Sequence, residues 1–563
     1  MKTRLVSVLS DEYTPAFCQV KPQTATSIAD DLLGEIPRWT PEKAVLIHAP
    51  TGMGKTHFVL NHLMPVIKER GGRMLLASNR VAISVQQKAE VMRLLGDNRQ
   101  KLLTVEGVRQ LEDFGFLRIM TLQRLLPFMC SQEGKEWCEK VTVLVVDEAH
   151  FFAADALFNP AAGSLLHLVP RAFATALRIY MTATPEDVLV PLVEAEEKTL
   201  RPLAERFEVS CGRKSWDYRR EMIIYQFPVS YDYLDISYFC CDQELVDQIA
   251  HTPERERWLI FVNSIREGEL LAERVSERIG EENVCLLTAA DKGGAAWQTI
   301  VNEGSLCHRV TLTTAVLDCG CNIIDDDLHH LVVYFVDRVS FVQALGRKRR
   351  REGERVNLYV PVPGARFLAR QRQEINEQLR GINIVECGTE DEKNRLFCEL
   401  WYDHHEQCKP IVRMPREGKL RLNDVAVHRV KRMDRQLHQL QELANEYGDE
   451  AFPRLVHQWL PGAALYDDSK WLGNDKRKEM RIELVAQLEQ LCGMSISNEE
   501  EQEMLRSSIV SVYESCGNTL ARHDRKLGYR ALNGLLIKLA IDYHISDQKG
   551  IWTVTKSEDV MTL

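Results

Sequence analysis

The stretch Ala44-Val45-Leu46-Ile47-His48-Ala49-Pro50-Thr51-Gly52-Met53-Gly54-Lys55-Thr56 decides the architecture of the first half of this chain. A short apolar run leads into a glycine-rich turn, and Phe58 to Ile67 then reads as a helix. Strand, glycine loop and helix in that order place backbone N–H groups and a helix N-terminus around an anion. The core Gly-x-Gly-Lys-Thr adds a lysine able to reach β- and γ-phosphates, Lys55, and a hydroxyl able to ligate Mg²⁺, Thr56. Thr51, Gly52, Met53 and Gly54 supply the loop itself. The full phosphate-loop pattern would carry glycine at 49, where Ala49 stands. A bare glycine turn before a helix is the competing reading, and it needs neither Lys55 nor Thr56.

Further apolar runs follow at Met74 to Ala77, Val141 to Val146 and Leu177 to Met181. A second series runs through Trp258 to Val262, Val284 to Leu287, Val310 to Thr313, Leu331 to Phe335 and Val356 to Val360. Short buried strands alternating with helical stretches mark α/β layers with parallel sheets. Two such domains in tandem are expected, with mixed signals over 186–240 between them. From about 370 the pattern turns helical. Val430, Met433, Leu437, Leu440 and Leu443 form a stripe along 429–446, and helices are expected at 476–492 and 498–515. In the tail, Leu532, Leu535, Leu536 and Leu539 make a helical face. Tyr543 to Ile545 and Ile551 to Val554 then flank a turn, as in the closing half of a winged helix. Trp552 fits a core position under that hairpin better than an exposed stacking platform. The expected division is a 1–40 N-terminal segment, α/β domains at 41–195 and 196–368, a helical region at 369–515 and a winged-helix-like tail at 516–563.

Composition narrows the function classes. The chain has 563 residues and a net charge of −10, which disfavours coating nucleic acid through a bulk positive field. Basic residues cluster only locally, at Arg347 to Arg351 and His428 to Arg435, and such runs are often solvated faces. The 15 cysteines lack the paired spacing of a structural zinc site, so free thiols are expected. No apolar run is long enough to cross a bilayer, which predicts a cytoplasmic protein without membrane partners.

Asp147-Glu148-Ala149-His150 closes the run Val141 to Val146. A carboxylate at the C-terminal end of such a strand sits beside the phosphate loop. Asp147 there holds Mg²⁺ through water and Glu148 activates the attacking water. A helix cap at Asp147 is the alternative. Together with the phosphate loop, these residues resemble the DEAH-type members of helicase superfamily 2. Other segments add to the resemblance in chain order. Ser78-Asn79-Arg80 looks like motif Ia and Thr121-Leu122-Gln123 like motif Ib. Met181-Thr182-Ala183-Thr184-Pro185 looks like motif III and Phe261-Val262-Asn263-Ser264 like motif IV. Thr313 to Asn322 resembles motif V, with flavivirus-type spacing and Asp318 where those helicases carry Glu. Gln343-Ala344-Leu345-Gly346-Arg347-Lys348-Arg349-Arg350 fits the motif VI form Q-x-x-G-R-x-x-R.

The resemblance spans about 44–352 and implies two RecA-like domains with an ATP·Mg²⁺ site in the cleft between them. It implies Arg347 and Arg350 as arginine fingers, Gln343 as a γ-phosphate or water contact, and Gly320 in the nucleotide-binding set. Ser78, Arg80, Thr121, Gln123, Thr313 and Thr314 would grip a nucleic-acid backbone. His150, Thr182 and Thr184 would couple ATP state to strand movement. No Q-motif precedes the phosphate loop, which argues against a DEAD-box subtype. The expected partner is single-stranded or forked nucleic acid, with DNA favoured by analogy with winged-helix motors and RNA open. A nucleic-acid-sensing ATPase that clamps without unwinding is the reading from another class. A plain phosphate-loop kinase is disfavoured by motifs V and VI.

Overall fold

The computed structural model describes residues 18–24, 27–78, 81–97, 105–157, 160–199, 222–291, 294–314, 322–351, 353–402, 408, 410–413, 419–515, 520, 527–539 and 541–556. The apolar runs of the first half become a seven-stranded parallel sheet. Its strands are β1 (Cys18–Pro22), β2 (Val45–His48), β3 (Met74–Ser78), β4 (Leu117–Thr121), β5 (Val143–Val146), β6 (Leu177–Thr182) and β7 (Met222–Gln226), in the order β1-β7-β2-β6-β5-β3-β4. Every residue of β2, β3, β5 and β6 is buried. That burial is why these strands read as continuous apolar runs rather than alternating ones. Two apolar clusters cover the faces of the sheet, one centred on Leu144 and Phe152, the other on Val145 and Phe58.

The second domain is a six-stranded parallel sheet. It comprises β8 (Leu234–Phe239), β9 (Arg257–Phe261), β10 (Val284–Leu287), β11 (Val310–Thr313), β12 (Leu328–Val333) and β13 (Val356–Pro361), in the order β10-β11-β9-β12-β13-β8. This sheet too is buried on both faces, around Phe261 and Phe341 on one side and Trp258 and Ile260 on the other. The α/β fold class and the helical region behind it are therefore as expected.

Two features of the first sheet differ from the expected division. β1 comes from the 1–40 segment and β7 from beyond residue 196, so the sheet reaches past 41–195 on both sides. β7 lies between β1 and β2, in register Val45 to Ile223 on one side and Cys18 to Met222 on the other.

Behind the sheets, the helix Asp424–Tyr447 runs along both domains. Near its start, Asn423 Nδ2 donates to the Ala156 carbonyl at 3.0 Å, and Asp424 meets His167 at 2.8 Å. Further along, Arg432 spans Asp187 of the first domain and Asp337 of the second, with Nη2 3.1 Å from Asp187 Oδ2 and 2.7 Å from Asp337 Oδ1. Leu440 then joins the core of the second sheet. The basic run 428–435 is thus in part an interdomain fastening rather than a solvated face.

The tail forms a separate core. Helices Asn474–Leu491, Glu499–Ser515 and Tyr529–Lys538 pack with a three-stranded antiparallel sheet, β14 (Ser495–Ile496), β15 (Tyr543–Gln548) and β16 (Ile551–Lys556). Leu484, Leu505, Ile509, Leu532, Leu536 and Trp552 share one apolar cluster. The order helix, strand, two helices and hairpin is the one expected of a winged helix, and its core starts well before residue 516. Lys549 and Gly550 both have positive φ, 56° and 88°, the geometry that a two-residue hairpin of right-handed twist requires. Trp552 is 4% exposed, a core residue as expected. Among the described residues, no helix is long and apolar enough to cross a membrane.

Candidate nucleotide site between the two sheets

Every motif of the first domain lies at the C-terminal edge of its sheet, where chain order reverses around β2 and ligands of open α/β sheets bind. After β2, the loop turns through Gly52 at φ 88° and Gly54 at φ 83°, conformations that side chains with a Cβ rarely adopt. Gly54 leads directly into the helix at Lys55, so the loop and the helix start adjoin, the arrangement that suits an anion. The expected single helix over 58–67 is helical from Lys55 to Glu69, with a π segment at Val59–Leu63. Lys55 is buried, and its Nζ donates to the carbonyls of Ala49 at 2.9 Å and Pro50 at 3.2 Å. Burial pushes its pKa down, opposed by Glu148 and Asp147 and reinforced by Arg349 and Arg347.

Asp147 follows β5 and accepts at Oδ2 from Thr56 Oγ1 (3.1 Å) and from Gln87 Nε2 (2.9 Å). Its carboxyl is pushed up to about 6 by burial and by the Glu148 charge, against Lys55. Glu148 behaves oppositely. Burial pushes it up, yet the His150 hydrogen bond, Lys55 and Arg347 outweigh that and hold it well below the ordinary carboxylate range. Glu148 also has φ 56°, a left-handed conformation unusual for a glutamate. The Ala149 N–H bonded to the Met181 carbonyl at 2.8 Å and the Glu148 N–H bonded to Asp147 Oδ1 at 3.0 Å hold the turn there. Strain of this kind concentrates at functional sites.

A hydrogen-bonded chain links Glu148 to the second domain. Glu148 Oε2 lies 3.2 Å from His150 Nδ1, which lies 3.3 Å from Thr182 Oγ1. Thr182 Oγ1 accepts from the Thr184 N–H at 3.1 Å, and Thr184 Oγ1 accepts from Gln343 Nε2 at 3.0 Å. Gln343 thus contacts Thr184 across the interface. It sits on the helix Arg338–Leu345, which Asp337 caps through the Ser340 N–H at 3.3 Å. Just past that helix Gly346 closes on the phosphate loop: a Cβ there would come 2.5 Å from Thr51 Oγ1. Arg347 is buried, its Nε donating to the Gln343 carbonyl at 3.2 Å.

The remaining predicted residues divide. Arg350 lies exposed, its guanidinium 4.3 Å from the centre of the Tyr233 ring rather than at the phosphate loop. Ser78 and Thr313 are fully buried, so a direct side-chain grip on a strand is not met there. Thr313 Oγ1 instead donates within its own domain, to the Leu287 carbonyl at 3.2 Å. Thr121 is buried at the end of β4, whereas Gln123 is exposed and Thr314 partly so. Arg80 and Gly320, with most of the motif V segment, lie outside the described residues. Sequence reasoning gave no role to Gln87, which stands in no motif, to Arg349, an unassigned position within the motif VI segment, or to Arg432, inside the basic run 428–435.

Residues 19–187 match the family described as the type III restriction enzyme res subunit, a span that holds the phosphate loop, Asp147, Glu148, Thr182 and Thr184. Over 290 residues the chain is 25% identical to competence protein ComFA of Streptococcus pneumoniae, covering 50% of this chain and 58% of that protein. The chain therefore spans little more than half of that curated relative. Among solved structures, DUF1998 helicase MrfA bound to DNA and AMPPNP aligns at 14% identity and TM-score 0.40, over 61% of this chain and 52% of its own. DEAD-box helicase Mss116 bound to ssRNA and UDP-BeF aligns at 12% identity and TM-score 0.43, over 77% and 99%.

In chemical terms, Lys55 and Arg349 act electrostatically on both Asp147 and Glu148, Arg347 acts on Glu148, and burial favours the protonated form of Asp147. The excess of buried positive charge suits a polyanion. Thr56 and Asp147 offer oxygen donors only, the set a hard divalent cation takes.

Proposed function

We propose that this chain is an ATP-driven nucleic-acid motor of the superfamily 2 type, hydrolysing ATP between its two parallel-sheet domains. The observation that carries the reading is the junction itself. Gly346 of the second domain closes on Thr51 of the first, Gln343 meets Thr184, and the Arg347 charge acts on Glu148. A kinase or single-domain phosphate-loop enzyme has no need of that second half. The match to a res-subunit family and to a competence protein supports the same class.

In this reading the loop Thr51–Gly54 and Lys55 bind the phosphates. Thr56 and Asp147 would hold Mg²⁺, which supplies charge neutralisation on the phosphate oxygens when bound. Glu148, kept ionised, orients a water and takes its proton as the water oxygen bonds to the γ-phosphorus. The bond from that phosphorus to the β–γ bridging oxygen breaks, and its electron pair leaves on ADP. Arg347 stabilises the charge that develops. The His150–Thr182–Thr184–Gln343 chain reports the state of Glu148 to the second domain. Within the class, the Asp147-Glu148-Ala149-His150 sequence favours the DEAH type, and the winged-helix tail favours DNA over RNA.

The test is the ATPase rate with single-stranded DNA, duplex DNA and RNA in parallel at two salt concentrations, beside strand displacement. Stimulation by single-stranded DNA that weakens with salt is expected. Hydrolysis indifferent to every nucleic acid would overturn the motor reading. Stimulated hydrolysis without displacement would reassign the chain as a clamping switch.

A further inference from the structure

The motif VI pattern Q-x-x-G-R-x-x-R spaces its two arginines as if both lay on one helical face, three residues apart. Here the helix stops at Leu345, with Gly346 as its C-cap. Beyond it the backbone is pinned to Ile323: the Ile323 N–H donates to the Arg347 carbonyl at 2.9 Å, and the Arg349 N–H donates to the Ile323 carbonyl at 2.7 Å. Ile323 and Lys348 form an isolated parallel bridge. In extended chain the side-chain period is two, so 347 and 349 share one side and 348 and 350 the other.

The contacts obey that period. Lys348 Nζ turns away to the Asp325 carbonyl at 2.7 Å and to Glu354, and Arg350 stacks on Tyr233. Arg349 turns inward with Arg347. Its Nε is held by Asn322 Oδ1 at 2.9 Å, and its Nη1 is shut off from solvent with no hydrogen-bond partner among the described residues. That same Nη1 stands 3.1 Å from where a Cβ on Gly52 would sit, at the exposed crest of the phosphate loop. Asp147 and Glu148 act on the Arg349 guanidinium electrostatically, while burial and Arg347 push its pKa down.

We propose that Arg349, rather than Arg350, is the second catalytic arginine, its free Nη1 contacting the γ-phosphoryl oxygens of ATP beside Arg347. The assignment rests on the ATPase reading above. The unsatisfied N–H groups cost free energy in the resting protein and recover it on charge that grows in the transition state. Asn322 Oδ1 fixes the fork by taking Nε, leaving the far nitrogen for the ligand.

Arg349→Ala, Arg349→Lys and Arg350→Ala are compared in the full chain for turnover and for affinity of AMPPNP and of ADP with aluminium fluoride. Arg349→Ala should lower turnover by about 10³-fold. It should weaken the aluminium fluoride complex far more than the AMPPNP complex. Arg349→Lys should recover little, since a point charge cannot replace a fork held at Nε. Arg350→Ala should stay within a few-fold of the parent. Full turnover in Arg349→Ala, or the loss appearing in Arg350→Ala instead, overturns the assignment. Equal loss of both nucleotide complexes in Arg349→Ala also overturns it, since that marks a packing role. The unmodified chain is the separate control: if it hydrolyses no ATP, with or without nucleic acid, the ATPase reading itself fails, whatever the arginines do.

Discussion

At the residue scale, Asp147 and Glu148 are neighbours in sequence and opposites in charge behaviour. Glu148 is held ionised by His150, Lys55 and Arg347. Glu148→Gln should therefore keep nucleotide binding while turnover falls at least about 10²-fold, the usual worth of a positioned base. Binding titrations beside single-turnover hydrolysis check this. Asp147 carries the opposite signature, with its folded pKa near 6 against an ordinary 3.8. Ionising it costs more in the folded state, so its destabilising effect on the nucleotide-free protein sets in above pH 3.8, is complete above about pH 6, and vanishes where both states are protonated. Asp147→Asn should raise melting temperature at pH 7.5, by no more than about 3 kcal/mol of stability. The gain should shrink as pH falls through 6 towards 4, and Mg²⁺-dependent hydrolysis should be lost. An Asp147→Asn protein that melts lower at pH 7.5 would contradict this account. These two residues were legible in the sequence because a strand run ends on them. Arg349 was not, because the arginines were read at helical spacing, and only the stop at Gly346 reveals the change to a period of two.

At the element scale, β2, β3, β5 and β6 announced themselves as apolar runs, whereas β4, equally buried, and the edge strands β1 and β8 did not. β4 contains Arg118, almost fully buried yet paired with Asp113 at 2.8 Å and with Glu133, and the charge breaks the apolar run. β8 alternates through Asp235, and the edge strand β1 carries Lys21 paired with Glu35 at 2.6 Å. The helix Asp424–Tyr447 was visible as an apolar stripe, but its polar side held the surprise. Arg432 answers two buried carboxylates from different domains, and Asp337 is held well below the usual carboxylate range: burial pushes it up, but Arg432 and Arg429 outweigh that. Removing one partner of such a network strands the others. Arg432→Ala should cost about 3–5 kcal/mol in denaturant unfolding, with part recovered when Asp187→Asn and Asp337→Asn are added. A loss below about 1 kcal/mol would reduce the bridge to an ordinary surface pair.

At the scale of the whole molecule, the tail core closes on residues 484–554. Removal from residue 474 should leave ATPase activity within a few-fold, because every nucleotide-site residue lies upstream. Truncation after 515 should instead leave Leu505, Ile509 and Tyr513 without Leu532 and Leu536, giving a protein that aggregates or binds a hydrophobic dye. Gel filtration and dye fluorescence of the two truncations distinguish these outcomes, and forked-DNA affinity of the shorter one measures what the tail contributes to binding. The sequence showed two domains and a tail but misplaced their borders, because β7 returns to the first sheet after a long excursion. That return has a consequence for synthesis on the ribosome. β2 emerges early, yet the neighbour that covers one of its sides is made 178 residues later, counting from His48 to Gln226. At about 5–20 residues per second, that side of β2 waits roughly 9–36 s for β7. During that interval the nascent chain carries an apolar ribbon with open hydrogen-bonding groups, the kind of segment that chaperones engage and that seeds misassembly when expression outpaces them.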